Sequence, residues 1–136
     1  MRFLLDTNIC IYIIKRQPPR VLQRLCECDI TDVGISSITL SELEFGVEKS
    51  TRPAQNRLAL AQFVAPLEIL PYGDRAAAAY GRIRAALESK GKPIGALDTL
   101  IAAHALALGA TLVTNNTREF RRVPDLPVEN WAQRLA

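Results

Sequence analysis

The sequence predicts an α/β fold of three layers, with helices on both faces of a central, mostly parallel sheet of four to five strands. Two observations carry that prediction. Short apolar runs at residues 2–5, 33–37, 67–70 and 111–114 alternate with longer stretches of helical periodicity, and strands separated by helices imply a parallel sheet covered on both sides. Pro18, Pro19, Gly91, Pro93, Gly95 and Gly109 punctuate the segments where the chain must turn. At 136 residues, with no linker, repeat or low-complexity tract, residues 1–136 read as a single domain.

Taken in order, Arg2-Phe3-Leu4-Leu5 reads as a short buried strand, and Asp6-Thr7-Asn8 supplies N-cap chemistry for a helix over residues 9–16. Pro18 and Pro19 break that helix and start the next, where Val21, Leu22, Leu25 and Cys26 form the apolar stripe and Arg20, Arg24 and Glu27 face outward. The second strand covers residues 33–37. Thr39-Leu40-Ser41-Glu42 opens a helix running to about Lys49, and another spans residues 56–64 with Leu58, Leu60, Ala61 and Val64 inward. A third strand follows at residues 67–70. Asp74 caps a long alanine-rich helix to about Lys90, with Ala77, Tyr80, Ile83, Ala86 and Leu87 inward and Arg75, Arg82 and Lys90 in solvent. The helix over residues 97–108 is apolar almost all round and so packs on most sides, and Gly109 ends it. Residues 111–114 form the next strand, residues 115–120 a loop or short helical turn, and residues 126–128 a last edge strand.

Composition narrows the function classes. The longest apolar run near the start, residues 9–14, is far too short to span a bilayer and lacks the layout of a signal peptide, so a cytoplasmic protein without a membrane partner is expected. Cys10, Cys26 and Cys28 are odd in number and show no C-x-x-C spacing, which points to idle thiols. The net charge is +3 and the pI near 9.0. If several acids share one pocket, the remaining surface is more basic than that total, a combination that suits a phosphodiester substrate.

Three carboxylates stand where strands hand over to helices: Asp6 after Phe3-Leu4-Leu5, Glu42 in Thr39-Leu40-Ser41-Glu42-Leu43, and Asp98 in Gly95-Ala96-Leu97-Asp98-Thr99. Each has a purely structural reading. Thr39-x-x-Glu42 fits a capping box, Asp98 suits the first turn of a helix, and Asp6 can simply start one. The functional reading is joint. In an open α/β sheet the strand ends converge on one crevice, where acids far apart in sequence can meet and hold a hard cation such as Mg²⁺ or Mn²⁺. Thr7 and Asn8 can hold the second oxygen of Asp6. A fourth segment, Thr114-Asn115-Asn116-Thr117-Arg118-Glu119-Phe120, adds the oxygens of Asn116 and Glu119 beside arginines.

These four segments, in this order, resemble the PIN-domain ribonucleases of the VapC toxin type across nearly the whole chain. The matching pieces are Phe3-Leu4-Leu5-Asp6-Thr7-Asn8; Ser36 to Gly46 around Glu42; Gly95 to Ala105 around Asp98; and Leu112 to Phe120. The resemblance implies a PIN-like fold, with Asp6, Glu42 and Asp98 as acidic metal ligands and catalytic groups. The family's fourth acidic position falls two residues after Thr114, where this chain has Asn116; Glu119 is then the supporting acid, with Asn116 offering a carbonyl oxygen or holding a water. Also implied are a homodimer, an RNA substrate, and inhibition by a VapB-type antitoxin whose C-terminal segment occupies the acidic cleft. The subgroup with Gly91-Lys92-Pro93-Ile94-Gly95 before the third acid points to initiator tRNA, cut in the anticodon stem-loop.

The residues permit metal-assisted hydrolysis, with an activated water and neutralised phosphate charge, leaving 5′-phosphate and 3′-hydroxyl ends. Metal-free cleavage through the 2′-hydroxyl usually needs a histidine pair, and His104, the one histidine, reads as a packed core residue. Arg118, Arg121 and Arg122 on one side and Lys15, Arg16, Arg20 and Arg24 on the other are candidates for phosphate contacts. Two alternatives stand beside this reading. A decayed PIN domain that only binds RNA or a partner would explain Asn116, and a Mg²⁺-dependent phosphatase would also gather acids, although Asn8 occupies the position where the haloacid-dehalogenase pattern wants a second aspartate.

Overall fold

The computed structural model describes residues 1–133. Five strands, β1 (Phe3–Leu5), β2 (Val33–Ser36), β3 (Glu68–Leu70), β4 (Thr111–Val113) and β5 (Val128–Glu129), form one sheet in the order β3-β2-β1-β4-β5. Every pairing is parallel. The helices are α1 (Thr7–Lys15), α2 (Pro19–Cys26), α3 (Ser37–Glu48), α4 (Pro53–Val64), α5 (Asp74–Ser89), α6 (Ala96–Leu108) and α7 (Thr117–Phe120), with a 3₁₀ turn at Ile30–Asp32. The α/β class, the parallel sheet and the last edge strand agree with the sequence expectation.

Two apolar layers flank the sheet. On one side Phe3, Leu5, Val33 and Ile35 pack with Ile9, Ile13, Val21, Leu43, Val47 and Leu60 from α1 to α4. On the other, Leu4 and Leu112 pack with Ala79, Ile83 and Leu87 of α5, Ile101 and Ala102 of α6, and Phe120. Adjacent strand residues point to opposite faces, so Leu4 serves one layer while Phe3 and Leu5 serve the other. Fully burying each such side chain contributes about 1.5–3 kcal/mol. The sheet is tightest at Gly34, where a Cβ would meet the Glu68 carbonyl oxygen at 2.9 Å. Only glycine lets β3 approach β2 so closely there.

Several local expectations need correction. Helix α4 starts at Pro53, three residues before Asn56, because proline is well suited to the first helical position. Leu58 and Ala61 are exposed, as is Cys26, since α4 and α2 each turn a narrower face to the core than the stripe suggested. In α5 the buried alanines are Ala76 and Ala79, and Ala77 faces solvent. The capping box at Thr39 does not form. Helix α3 already begins at Ser37 with Ser36 as its N-cap, whose Oγ accepts from the Ile38 N–H at 3.0 Å. Thr39 is therefore an interior residue, fully buried, with an unpartnered hydroxyl. Among the described residues no helix is long and apolar enough to cross a membrane.

Candidate active site

The acids do not all stand at strand–helix junctions as expected: Glu42 lies inside α3, and Asp98 is on α6, which follows α5 and not a strand. Asp6 follows β1 directly, and its backbone N–H extends the sheet ladder to the Val113 carbonyl at 2.8 Å, fixing the residue at the carboxyl edge between β1 and β4. The side chain caps α1: Oδ1 accepts from the Thr7 N–H at 2.8 Å, and Oδ2 accepts from the Thr114 hydroxyl at 2.7 Å. Burial raises its pKa, the two donors oppose that rise, and the nearby charge of Glu42 adds to it. The Thr7 hydroxyl turns the other way and donates to Glu42 Oε1 at 2.7 Å. One short loop thus holds two of the acids.

Asp98 lies in the first turn of α6, whose N-cap is Gly95. Its carboxyl is pushed up to about 7, first by burial, next by a hydrogen bond with Glu119, and then by the charges of Asp6, Glu119 and Glu42. Glu119 is correspondingly pulled down, chiefly by Asn116 and by Asp98. The Asn116 amide donates to Glu119 Oε2 at 2.9 Å and approaches Asp98 Oδ2 at 3.5 Å, too long for more than a weak contact. The Asn116 N–H donates to the Thr114 hydroxyl at 3.0 Å, so Thr114 links Asp6 to the loop before α7. The structure therefore brings Asp6, Glu42 and Glu119 each within electrostatic reach of Asp98, with Thr7, Thr114 and Asn116 as hydrogen-bond donors to Glu42, Asp6 and Glu119 and the Arg122 charge also acting on Glu119.

The donor set fits a hard divalent cation. It is all oxygen, and among the described residues no lysine or arginine stands at salt-bridge distance from Asp6, Glu42, Asp98 or Glu119. Among those residues, likewise, no three acidic, histidine or cysteine groups are close enough to cage an ion by themselves. Mg²⁺ and Mn²⁺ take oxygen ligands, retain several waters and need only one or two carboxylates.

Other expected contributors fall differently. Asn8 does not reach Asp6: its amide points to Asn115 Oδ1 at 3.5 Å, because Thr114 already occupies the second carboxylate oxygen. Arg20 and Arg24 are committed elsewhere. Arg20 donates to the Ala132 carbonyl at 2.8 Å, and Arg24 pairs with Glu27 and Glu129 while lying over the Trp131 ring. Arg122 donates to the Pro93 carbonyl at 3.2 Å, whereas Lys15, Arg16, Arg118 and Arg121 are exposed. Sequence reasoning missed the bond from the Asn115 amide to the Tyr12 hydroxyl at 2.6 Å, which ties α1 to the loop after β4. It also missed the partner of buried His104, whose Nδ1 lies 2.8 Å from Ser36 Oγ. A lone histidine on an apolar helix was the available signal.

A five-stranded parallel sheet covered by helices on both faces, with acids from four segments gathered near its carboxyl edge, defines an α/β domain with an acidic cleft. The chain belongs to the PIN domain family, which it matches over residues 3–126. Nucleases of this family generally depend on a divalent metal. The chain is similar to the tRNA(fMet)-specific endonuclease VapC of Salmonella typhimurium, at 44% identity over 96% of this chain and 98% of that protein. It is similar also to ribonuclease VapC2 of Rickettsia felis, at 46% identity over 96% and 98%. Among solved structures, DNA-bound VapBC from Salmonella typhimurium superposes with a TM-score of 0.91 at 44% identity, over 96% of this chain and 98% of that one.

Proposed function

We propose that this chain is the toxin of a VapBC-type toxin–antitoxin pair, a Mg²⁺- or Mn²⁺-dependent endoribonuclease that hydrolyses RNA phosphodiester bonds. The observation that carries the reading is that Asp6, Glu42 and Asp98, from three separate segments, lie within electrostatic reach of one another, with no salt bridge to any of them among the described residues. Likeness to VapC ribonucleases over nearly the full length of both chains supports it.

In this reading Asp6, Asp98 and Glu42 hold the metal, and Glu119 and Asn116 support it. When bound, the ion supplies Lewis acidity toward the phosphate oxygens and lowers the pKa of a bound water. Thr114 and Thr7 keep Asp6 and Glu42 oriented through the bonds at 2.7 Å. Glu119, held ionised by the Asn116 amide, accepts a hydrogen bond from the Asp98 carboxyl and so keeps the proton on Asp98. Exposed Arg118, next to Glu119 in sequence, and exposed Lys15, which lines a groove together with Glu42, are the candidates for holding backbone phosphates.

The substrate in this reading is a structured RNA, with initiator tRNA cut in the anticodon stem-loop as the specific candidate, by likeness to the tRNA(fMet)-specific relative. The working form is a cytoplasmic homodimer. A VapB-type antitoxin is its partner, by likeness to the VapBC complex. An apolar groove of about 330 Å³, lined by Ile11, Ile14, Leu43, Gly46 and Leu60, runs up to Glu42 and suits an apolar antitoxin segment entering the acidic cleft.

The test is sequencing of 5′-phosphate RNA ends after brief expression of the chain and of Asp98→Ala. A discrete cut in one tRNA, absent from the variant, is expected. Scattered messenger-RNA cuts would replace the tRNA assignment, and equal cutting by Asp98→Ala or cyclic-phosphate products from purified protein would overturn the mechanism.

A further inference from the structure

His104 is an anomaly in α6. Its neighbours Ile101, Ala102, Ala103 and Ala105 are all fully buried apolar residues, and His104 itself is only 3% exposed. A buried imidazole is costly unless its polar atoms are used, and an apolar side chain would fill the same space at no such cost. Here Nδ1 is used, on Ser36 Oγ at 2.8 Å.

The direction of that bond follows from hydrogen-bond accounting. Ser36 Oγ already accepts from the Ile38 N–H as the N-cap of α3. Its own proton then needs an acceptor in a fully buried setting, and the Nδ1 lone pair of a neutral imidazole provides one. Burial lowers the His104 pKa, which keeps the ring neutral. A second link reinforces the joint: Tyr72, from the loop between β3 and α5, donates its N–H to Ser37 Oγ at 3.0 Å and packs edge-on against the His104 ring, centroids 5.4 Å apart.

We propose that His104 and Ser36 are a positioning pair that sets the Glu42 helix against the Asp98 helix and so fixes the metal-binding geometry of the cleft. This rests on the reading of the acids as metal ligands. Ser36 precedes Glu42 by six residues (42 − 36) along α3, and His104 follows Asp98 by six (104 − 98) along α6. At 1.5 Å per residue each acid is about 9 Å from the joint, so a tilt of about 5° there displaces a carboxylate by roughly 0.8 Å. Shifts near 1 Å are enough to cost about 100-fold in a reaction that depends on alignment.

The experiment compares wild type, His104→Ala, His104→Asn, Ser36→Ala and the His104→Ala/Ser36→Ala double variant, as full chains confirmed folded by circular dichroism. Mn²⁺ binding is read from the free-ion electron paramagnetic resonance signal, independently of RNA cleavage. His104→Ala and Ser36→Ala are each expected to weaken Mn²⁺ binding about 10-fold or more, in line with other groups that orient metal ligands, and to lower kcat with little change in KM. His104→Asn, whose Oδ1 can stand in for Nδ1, is expected to restore most of the affinity, and the double variant to be no worse than either single one.

Wild-type Mn²⁺ affinity in folded His104→Ala would overturn the proposal, as would failure of His104→Asn to improve on alanine. If His104→Ala does not fold, the comparison of Ser36→Ala with wild type decides on the same readouts. Failure of wild type itself to bind Mn²⁺ would instead refute the metal-site reading on which the proposal stands.

Discussion

Replacing Asp98 by asparagine should make the metal-free protein more stable at neutral and alkaline pH, although in the proposed function it removes a metal ligand. The Asp98 carboxyl titrates at about 7 in the fold against an ordinary 3.8. Folding therefore raises its affinity for a proton, and the native state is penalised once the group must ionise. The penalty is absent below the unfolded value, grows as pH rises from about 4 to about 7, and is constant above that. At about 1.36 kcal/mol per pH unit, the interval would amount to about 4 kcal/mol. The side chain is half open to water, which screens the repulsion, so about 1–2 kcal/mol is the expected gain. For a chain of this size that corresponds to roughly 3–8 °C in Tm. The assay is thermal or urea unfolding in EDTA at about pH 8 and about pH 3.5, with a gain at the first and none at the second. Saturating Mg²⁺ should then close the gap by stabilising wild type more than the variant, since the variant binds the ion less well. Equal or lower stability of Asp98→Asn at the higher pH, or the same gain at both, would refute the account of the cluster as an uncompensated charge site.

Other consequences are equally direct. Glu119→Gln should lower the Asp98 pKa, seen by carboxyl-carbon NMR, because it removes a charge and weakens a hydrogen bond that both raise it; an unmoved Asp98 would leave burial and the charges of Asp6 and Glu42 as the causes. Thr114→Val takes the donor from Asp6 Oδ2, and the loss of a hydrogen bond to a charged group should cost about 1.5–3 kcal/mol in chemical unfolding at neutral pH and raise the Mg²⁺ requirement for cleavage. Phe120→Ala empties a fully buried site beneath α7, with an expected loss of about 3–5 kcal/mol by the same measurement. A Cβ at Gly46 meets nothing within 4 Å and Gly46 lines the groove, so Gly46→Trp is expected to leave the chain folded while filling the groove and weakening antitoxin binding; unchanged binding would place the partner elsewhere.

The sequence alone determined the class of fold, the order of strands and helices, and the identities of the acids. Those features are local. Apolar periodicity distinguishes strand from helix within a few residues, and Asp6 capping α1 or Gly109 ending α6 in a left-handed turn reports its own segment's hydrogen bonding. Locality also produced the errors: Thr39-x-x-Glu42 has the pattern of a cap, but Ser36 reaches the free N–H groups first, and the stripe in α4 says nothing of how much of that helix the core will cover. The tertiary structure decided which polar groups meet. Thr114 reaches Asp6 across 108 residues of sequence, Thr7 reaches Glu42 across 35, and Ser36 meets His104 across 68. Those pairings follow from β1 lying between β2 and β4, an order set by the packing of whole faces and encoded in no single segment. The shifted carboxyl of Asp98 has the same origin, because its repulsion depends on neighbours that only the assembled sheet edge supplies.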